Sequence, residues 1–176
     1  QGVRLILQGI GEDLEREGLE GTPDRVARFW EEWLSPEFKP TSFGDSGGYD
    51  QLIVVADIRF VSMCEHHMLP VIGHAHVGYI PAEGGKVLGL SKLVRLVDKH
   101  SRRLTLQERM TKEVADELEK LVAPAGVMVL AQAEHYCMSM RGVHRPGTVT
   151  STSDIRGAFK DHDVRAEFMA LVKGVT

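Results

Sequence analysis

Cys64-Glu65-His66-His67 packs three potential metal ligands and a carboxylate into four consecutive residues, between two apolar segments. The only other cysteine, Cys137, stands far downstream in His135-Tyr136-Cys137. A catalytic zinc ion commonly takes three protein ligands, thiolate and imidazole among them, and leaves its fourth position to water. Cys64 and His67 have the two-residue gap that lets a tight turn aim both at one ion, and Cys137 would be the third ligand. On a straight strand Cys64 and His67 would face opposite sides, so this reading requires a turn at Glu65-His66. His135 lies two residues before Cys137 on an expected strand, which puts its imidazole on the same side, about 7 Å along. His66 is the other free imidazole. The competing readings are two small buried thiols, a Cys64–Cys137 disulfide, and a structural zinc site completed by one of the spare histidines.

A second group of residues suits an anion. Ser91-Lys92-Leu93-Val94-Arg95 opens an expected helix, whose N-terminal N–H groups attract negative charge, and Lys92 and Arg95 share a face. Arg141, His144 and Arg145 follow Cys137 closely, so the metal-bearing segment runs into a basic loop. Together these could hold a polyphosphate, arginine being well shaped for phosphate oxygens. The plainer reading of Lys92 and Arg95 is a solvated helix face. Gln107-Glu108 near the start of the next helix is unremarkable by itself, because acidic residues belong in a first turn.

The elements that must position these groups follow from periodicity. Val3, Ile6, Leu7, Ile10 and Leu14 predict an amphipathic helix to about residue 17. Thr22-Pro23-Asp24 predicts a helix start with Thr22 as N-cap, followed by an apolar core stripe of Val26, Phe29, Trp30 and Trp33. Residues 35–50, with their prolines, glycines and short polar residues, predict a loop. Strand formers then dominate at Leu52–Val55, Ile58–Val61 and Val71–Ile80. Helices are expected from Ser91 towards His100 and from Thr105 to about Val122, each capped by its first residue. Val127–Ala133 predicts a strand continuing through His135-Tyr136-Cys137, Thr148–Thr152 a fourth, and Val164, Phe168 and Leu171 a terminal helix. The expectation is an α+β domain with an antiparallel four-stranded sheet and two helices on one face. Residues 1–50 would form an N-terminal helical arm and linker, and residues 51–176 the catalytic domain.

Composition narrows the function. The chain has 176 residues, 43% of them hydrophobic and 26% charged, with a net charge of −4. That balance argues against a nucleic-acid partner held by bulk charge. The longest apolar run, near residues 123–133, is too short to span a membrane. Two cysteines beside histidines suit intracellular metal chemistry better than a disulfide framework. The expectation is a soluble, cytoplasmic protein.

Taken together, Cys-Glu-His-His at 64–67, Gly-Leu-Ser-Lys-Leu-x-Arg at 89–95, Gln-Glu-Arg at 107–109 and His-Tyr-Cys-Met-x-x-Arg-Gly at 135–142 resemble the zinc-dependent GTP cyclohydrolase I family. The leader Gly-x-x-x-Thr-Pro-x-Arg-Val-Ala at 18–27 is similar too, and the motifs are collinear. The resemblance implies a tunnelling fold and the hydrolysis of GTP to formate and 7,8-dihydroneopterin triphosphate, the first step of folate and pterin biosynthesis. It implies Zn2+ held by Cys64, His67 and Cys137, where it would lower the pKa of a water that attacks guanine C8. His135 would protonate the purine nitrogen, and His66 would assist later proton transfers. Glu108 would accept from guanine N1–H and the 2-amino group, with Gln107 close by. Ser91, Lys92, Arg95 and Arg141 would clamp the triphosphate, and Arg25 would contribute from a neighbouring subunit. The family assembles as a homodecamer of two pentameric rings with sites at subunit boundaries.

Two rivals predict different chemistry. A nucleobase deaminase also uses His/Cys/Cys zinc with a glutamate, but its His-x-Glu and Pro-Cys-x-x-Cys spacings are absent here. A non-catalytic, zinc-stabilised binding module would tolerate loss of His135.

Overall fold

The computed structural model describes residues 1–34, 36, 38–44 and 47–174. Residues 35, 37, 45 and 46 of the expected loop lie outside the described residues, as do 175 and 176. The chain divides into two compact units, residues 1–36 and 37–176, which are taken separately.

In the first unit, α1 (Gly2–Gly9) is much shorter than its apolar spacing predicts. Gly11, at φ +84°, stops it, and residues 10–21 form turns instead. Only glycine enters that left-handed region without a Cβ penalty. Helix α2 (Thr22–Trp33) starts where expected, with Pro23 in its first turn, but its N-cap is Gly21 rather than Thr22. The Thr22 hydroxyl donates instead to Gly18 O. Phe29, Trp30 and Trp33 pack ring against ring, with centroids 5.3–6.1 Å apart. Of the three, Trp33 is buried and Phe29 exposed, so the expected core stripe is only partly a core.

The second unit is α+β. Short β1 (Ser42–Phe43) pairs antiparallel with β4 (Val87–Leu88). The main sheet comprises β2 (Ile53–Cys64), β3 (Pro70–Ile80), β5 (Leu104–Thr105), β6 (Gly126–His135) and β7 (Val149–Gly157), in the order β5-β2-β3-β6-β7. Helices α3 (Leu90–Ser101) and α4 (Gln107–Val122) lie in sequence around β5, a four-residue helix α5 (Tyr136–Ser139) follows β6, and α6 (His162–Lys173) ends the fold. The strand formers at 53–55 and 58–61 lie on one strand, β2, interrupted by a register shift between Val55 and Ile58. Asp57 sits in this bulge at φ 56°.

The sheet is thus five-stranded and mixed, not four-stranded and antiparallel. The added strand β5 runs parallel to β2 through Met63↔Leu104 and Cys64↔Thr105. Two residues are too few for any periodic signal. Helices cover both faces, not one. Val127, Val129 and Ala131 of β6 join the core under α3 and α4, with Leu93, Leu96, Val97, Met110, Val114 and Leu118. Met128 and Leu130, pointing the other way, join Phe159, Phe168 and Val172 under α6. Burial on both faces explains why β6 reads as a continuous apolar run rather than an alternation.

The helix starts also differ from expectation. Gly89, not Ser91, is the N-cap of α3, and Leu106, not Thr105, is that of α4. Thr105 is buried in β5 beside Cys64, because pairing with β2 claims its backbone. Among the described residues no helix is long and apolar enough to cross a membrane.

Candidate metal centre and active site

Strand β2 ends at Cys64, and the chain turns back at once into β3. Cys64 O accepts from His67 N at 3.4 Å and from Met68 N at 2.8 Å, and Met68 takes a left-handed φ of 55°. Cys64 N donates to Leu69 O at 2.9 Å, which closes the hairpin. The turn brings His67 back over Cys64, so its Nδ1 lies 3.7 Å from Cys64 Sγ. Cys137 reaches the same point from the other side of β3, but not on a strand as expected. Strand β6 stops at His135, and Cys137 lies in α5, so the helical turn rather than strand pairing carries its sulfur inward. The ligand atoms of Cys64, His67 and Cys137 all lie within 4.8 Å of one another.

This donor set fits zinc. Zinc–sulfur and zinc–nitrogen arms at a tetrahedral angle put the two donors about 3.6 Å apart, close to the Cys64–His67 separation. Burial, then the neighbouring Cys64 sulfur, pushes the Cys137 thiol up from its ordinary pKa. A bound dication would supply the positive charge that favours the Cys137 thiolate. Arg141 Nη1 lies 2.9 Å from His67 Nε2 and donates to it. Ligation through Nδ1 would leave the ring proton on Nε2, which could then no longer accept from Arg141.

Beside the cluster lies a cavity of about 250 Å³ lined by Cys64, His66, Gln107, Glu108, His135 and Cys137, with Thr105 and Thr150 among its other walls. The parallel β5 makes this possible, since it delivers the chain from Thr105 directly into the first turn of α4 at Gln107-Glu108. Gln107 is buried and Glu108 exposed. His135 Nε2 lies 2.8 Å from Gln107 Oε1. Burial holds the His135 imidazole below its ordinary pKa, and the Glu108 carboxylate opposes that. The cavity is at the small end for a ligand pocket and suits a ring system better than a whole nucleotide.

The other expected site residues lie outside this lining. Ser91, Lys92 and Arg95 occupy the first two turns of α3, and Arg141 follows α5. Arg25 is in the other unit, where its Nη2 donates to Gly18 O at 3.1 Å and to Thr22 Oγ1 at 2.8 Å. Two relationships escaped sequence reasoning: the Glu65–Arg109 ion pair and the bonding of Gln107 to strands β6 and β7. Both join residues remote in sequence, and no local spacing marks them.

The model of the family described as GTP cyclohydrolase I matches residues 1–173. The chain belongs to the GTP cyclohydrolase I family. It is 54% identical to GTP cyclohydrolase 1 of Aquifex aeolicus, over 99% of this chain and 95% of that protein. It is 52% identical to GTP cyclohydrolase 1 of Sulfurihydrogenibium sp., over 98% and 92%, and 50% identical to that of Streptomyces avermitilis, over 97% and 87%. Membership in the GTP cyclohydrolase I family thus extends along nearly the whole chain, with the Cys/His/Cys cluster and its adjoining cavity inside the matched region.

Proposed function

We propose that this chain is a zinc-dependent enzyme converting GTP and water to formate and 7,8-dihydroneopterin triphosphate, the first step of folate and pterin biosynthesis. The observation that carries the reading is the single cavity in which Cys64, Cys137, His66, His135 and Glu108 meet. Cys64, His67 and Cys137 would hold the zinc, which when bound lowers the pKa of water and so supplies a nucleophile at neutral pH. Guanine enters with its N1–H and 2-amino group towards the Glu108 carboxylate, a two-point contact that adenine cannot make. His135 donates a proton to the purine nitrogen next to C8, where charge builds as C8 is attacked. His66, exposed on the turn beside the ligands, moves protons in the later opening and rearrangement of the ribose.

Ser91, Lys92 and Arg95 at the start of α3, with Arg141, hold the triphosphate outside the cavity, and Arg25 reaches it from a neighbouring subunit. Residues 51–176 are the catalytic domain, of the tunnelling-fold type, and residues 1–50 an arm used in assembly. A homodecamer of two pentameric rings accounts for the outer edges of β5 and β7, which have no partner strand among the described residues. The enzyme acts in the cytoplasm. Incubation with GTP, following pterin fluorescence and released formate with and without a chelator, tests the reading. Formate and a pterin that both vanish with chelation are expected, and released ammonia without formate refutes it.

A further inference from the structure

The Gln107 side chain is engaged at both ends by the protein. Its Nε2 lies 3.0 Å from Ala131 O, 3.1 Å from Thr150 O and 3.1 Å from Thr152 Oγ1, on the two strands β6 and β7. Two of those three groups are carbonyls and can only accept, so the amide must turn its NH2 end to them. This orientation does not depend on telling nitrogen from oxygen by position, because the reversed amide would set oxygen against two carbonyl oxygens. The Thr152 hydroxyl is itself held at 2.7 Å from Thr111 Oγ1, whose hydroxyl reaches Gln107 O at 2.8 Å, so the amide sits in a closed network. Gln107 Oε1 is thereby fixed towards His135, 2.8 Å from Nε2, and an amide oxygen can only accept.

His135 Nε2 must therefore carry a proton and donate it to Gln107. Nδ1 is then the ring nitrogen left for a bound molecule: it has no protein partner among the described residues and is not among the buried unpartnered atoms. We infer that Gln107 is a positioning residue, not a guanine contact: it anchors His135 through Nε2 so that Nδ1 is the atom that exchanges protons with the substrate. This deepens the proposed function and rests on it for the substrate. The acid is the imidazolium, formed when Nδ1 takes up a second proton from solvent: the Nδ1–H bond breaks as the purine nitrogen is protonated, its electron pair stays on Nδ1, and Nε2–H keeps its hydrogen bond to Gln107 Oε1. Without the amide the imidazole is free to flip and to populate the other tautomer, and misplacing an acid by about an ångström costs on the order of 100-fold in rate.

Gln107→Met keeps the length of the side chain and removes both amide functions. Three measurements on the metal-loaded protein separate positioning from substrate contact: kcat and KM for GTP, the affinity for 7-deaza-GTP, and the nitrogen NMR spectrum of histidine-labelled protein. The deaza analogue keeps the guanine edge that Glu108 would read but has carbon in place of the reacting nitrogen. Expected are a kcat lowered about 100-fold, analogue affinity held within about threefold, and a parent His135 protonated at Nε2 that loses this single state in the variant. A tenfold or greater loss of analogue affinity with kcat held overturns the inference. So does a parent His135 protonated at Nδ1 alone, which decides the matter even if Gln107→Met fails to fold. A parent protein that binds GTP without releasing formate overturns the proposed reaction instead, and leaves the tautomer measurement to stand by itself.

Discussion

Glu65 and Arg109 form a two-pronged ion pair, with Nη1–Oε2 at 2.6 Å and Nη2–Oε1 at 3.3 Å. Glu65 sits in the turn between Cys64 and His67, and Arg109 in the first turn of α4 beside Gln107 and Glu108. The pair therefore fastens the metal-ligand turn to the helix that carries the cavity's other wall. Glu65 N also donates to Thr105 O at 3.3 Å, so the turn is held to the β5–α4 segment twice. Arginine's planar fork suits this two-point geometry, which lysine could not reproduce.

Removing either partner should loosen both halves of the site. Glu65→Ala and Arg109→Ala are each expected to weaken zinc retention about tenfold, the lower end for groups that support metal ligands. In a double-mutant cycle, zinc competition with a chelator should give strongly non-additive losses, because either change alone breaks the same bond. Additive losses would show that the pair does not act as a unit.

The same pair predicts an acid dependence. The hydrogen bonds from Arg109 hold the Glu65 carboxyl below its ordinary value of 4.5. A carboxylate depressed in the folded state adds stability above its unfolded pKa and loses it as pH falls through the folded value. Unfolding followed from pH 7 downward should therefore show a steeper acid limb, below about pH 4.5, in the parent than in Glu65→Gln. Parallel limbs would assign the acid sensitivity to other carboxylates.

His135→Ala and Cys137→Ser should fail differently. The first leaves all three ligands in place, so zinc stays stoichiometric while GTP turnover falls by about 10²–10⁴, the usual contribution of an acid–base group. The second removes a thiolate, so zinc content itself falls, and turnover falls with it. Metal analysis beside a formate assay separates them, and a His135→Ala protein that still turns over GTP rules out the assigned role.

Glu108→Ala should act on selectivity. With the carboxylate gone, the discrimination between GTP and ATP in competition binding should fall by about 10²-fold or more, as expected when a polar recognition contact is lost. Unchanged discrimination would place guanine recognition elsewhere.

Away from the site, Gly78→Ala tests the second core. A Cβ there would lie 2.8 Å from Phe168 Cδ2 and Cε2, where α6 presses on the sheet. Overpacking of this kind costs about 1–3 kcal/mol. Denaturant unfolding should show a loss in that range with zinc content unchanged, since the metal centre lies at the opposite end of β3.

Much of this protein is legible in residue order because short-range geometry decides it. The Cys64–His67 gap works only through a turn, and the observed hairpin supplies one. The apolar spacing of Leu93, Leu96 and Val97, and of Met110, Val114 and Leu118, is a helical face whatever it packs against. Where the expectation failed, a tertiary contact outweighed a local preference. Thr105 is a good cap by type, yet pairing with β2 draws it into a strand. Cys137 continues an apolar strand pattern, yet the chain leaves the sheet one residue earlier.

The sequence by itself determined the family, the candidate metal-ligand group Cys64, His67 and Cys137, and the two helices that flank the site, all of which depend on residue type and near-neighbour spacing. Only the tertiary structure decided the parallel β5, the Glu65–Arg109 clasp and the network that consumes both ends of Gln107. Those contacts span 44 residues for Glu65–Arg109 and 24–45 for the Gln107 bonds. A hydrogen bond carries no trace in sequence of which distant partner it will find, since any buried amide or carboxylate must be satisfied somewhere and only packing selects where.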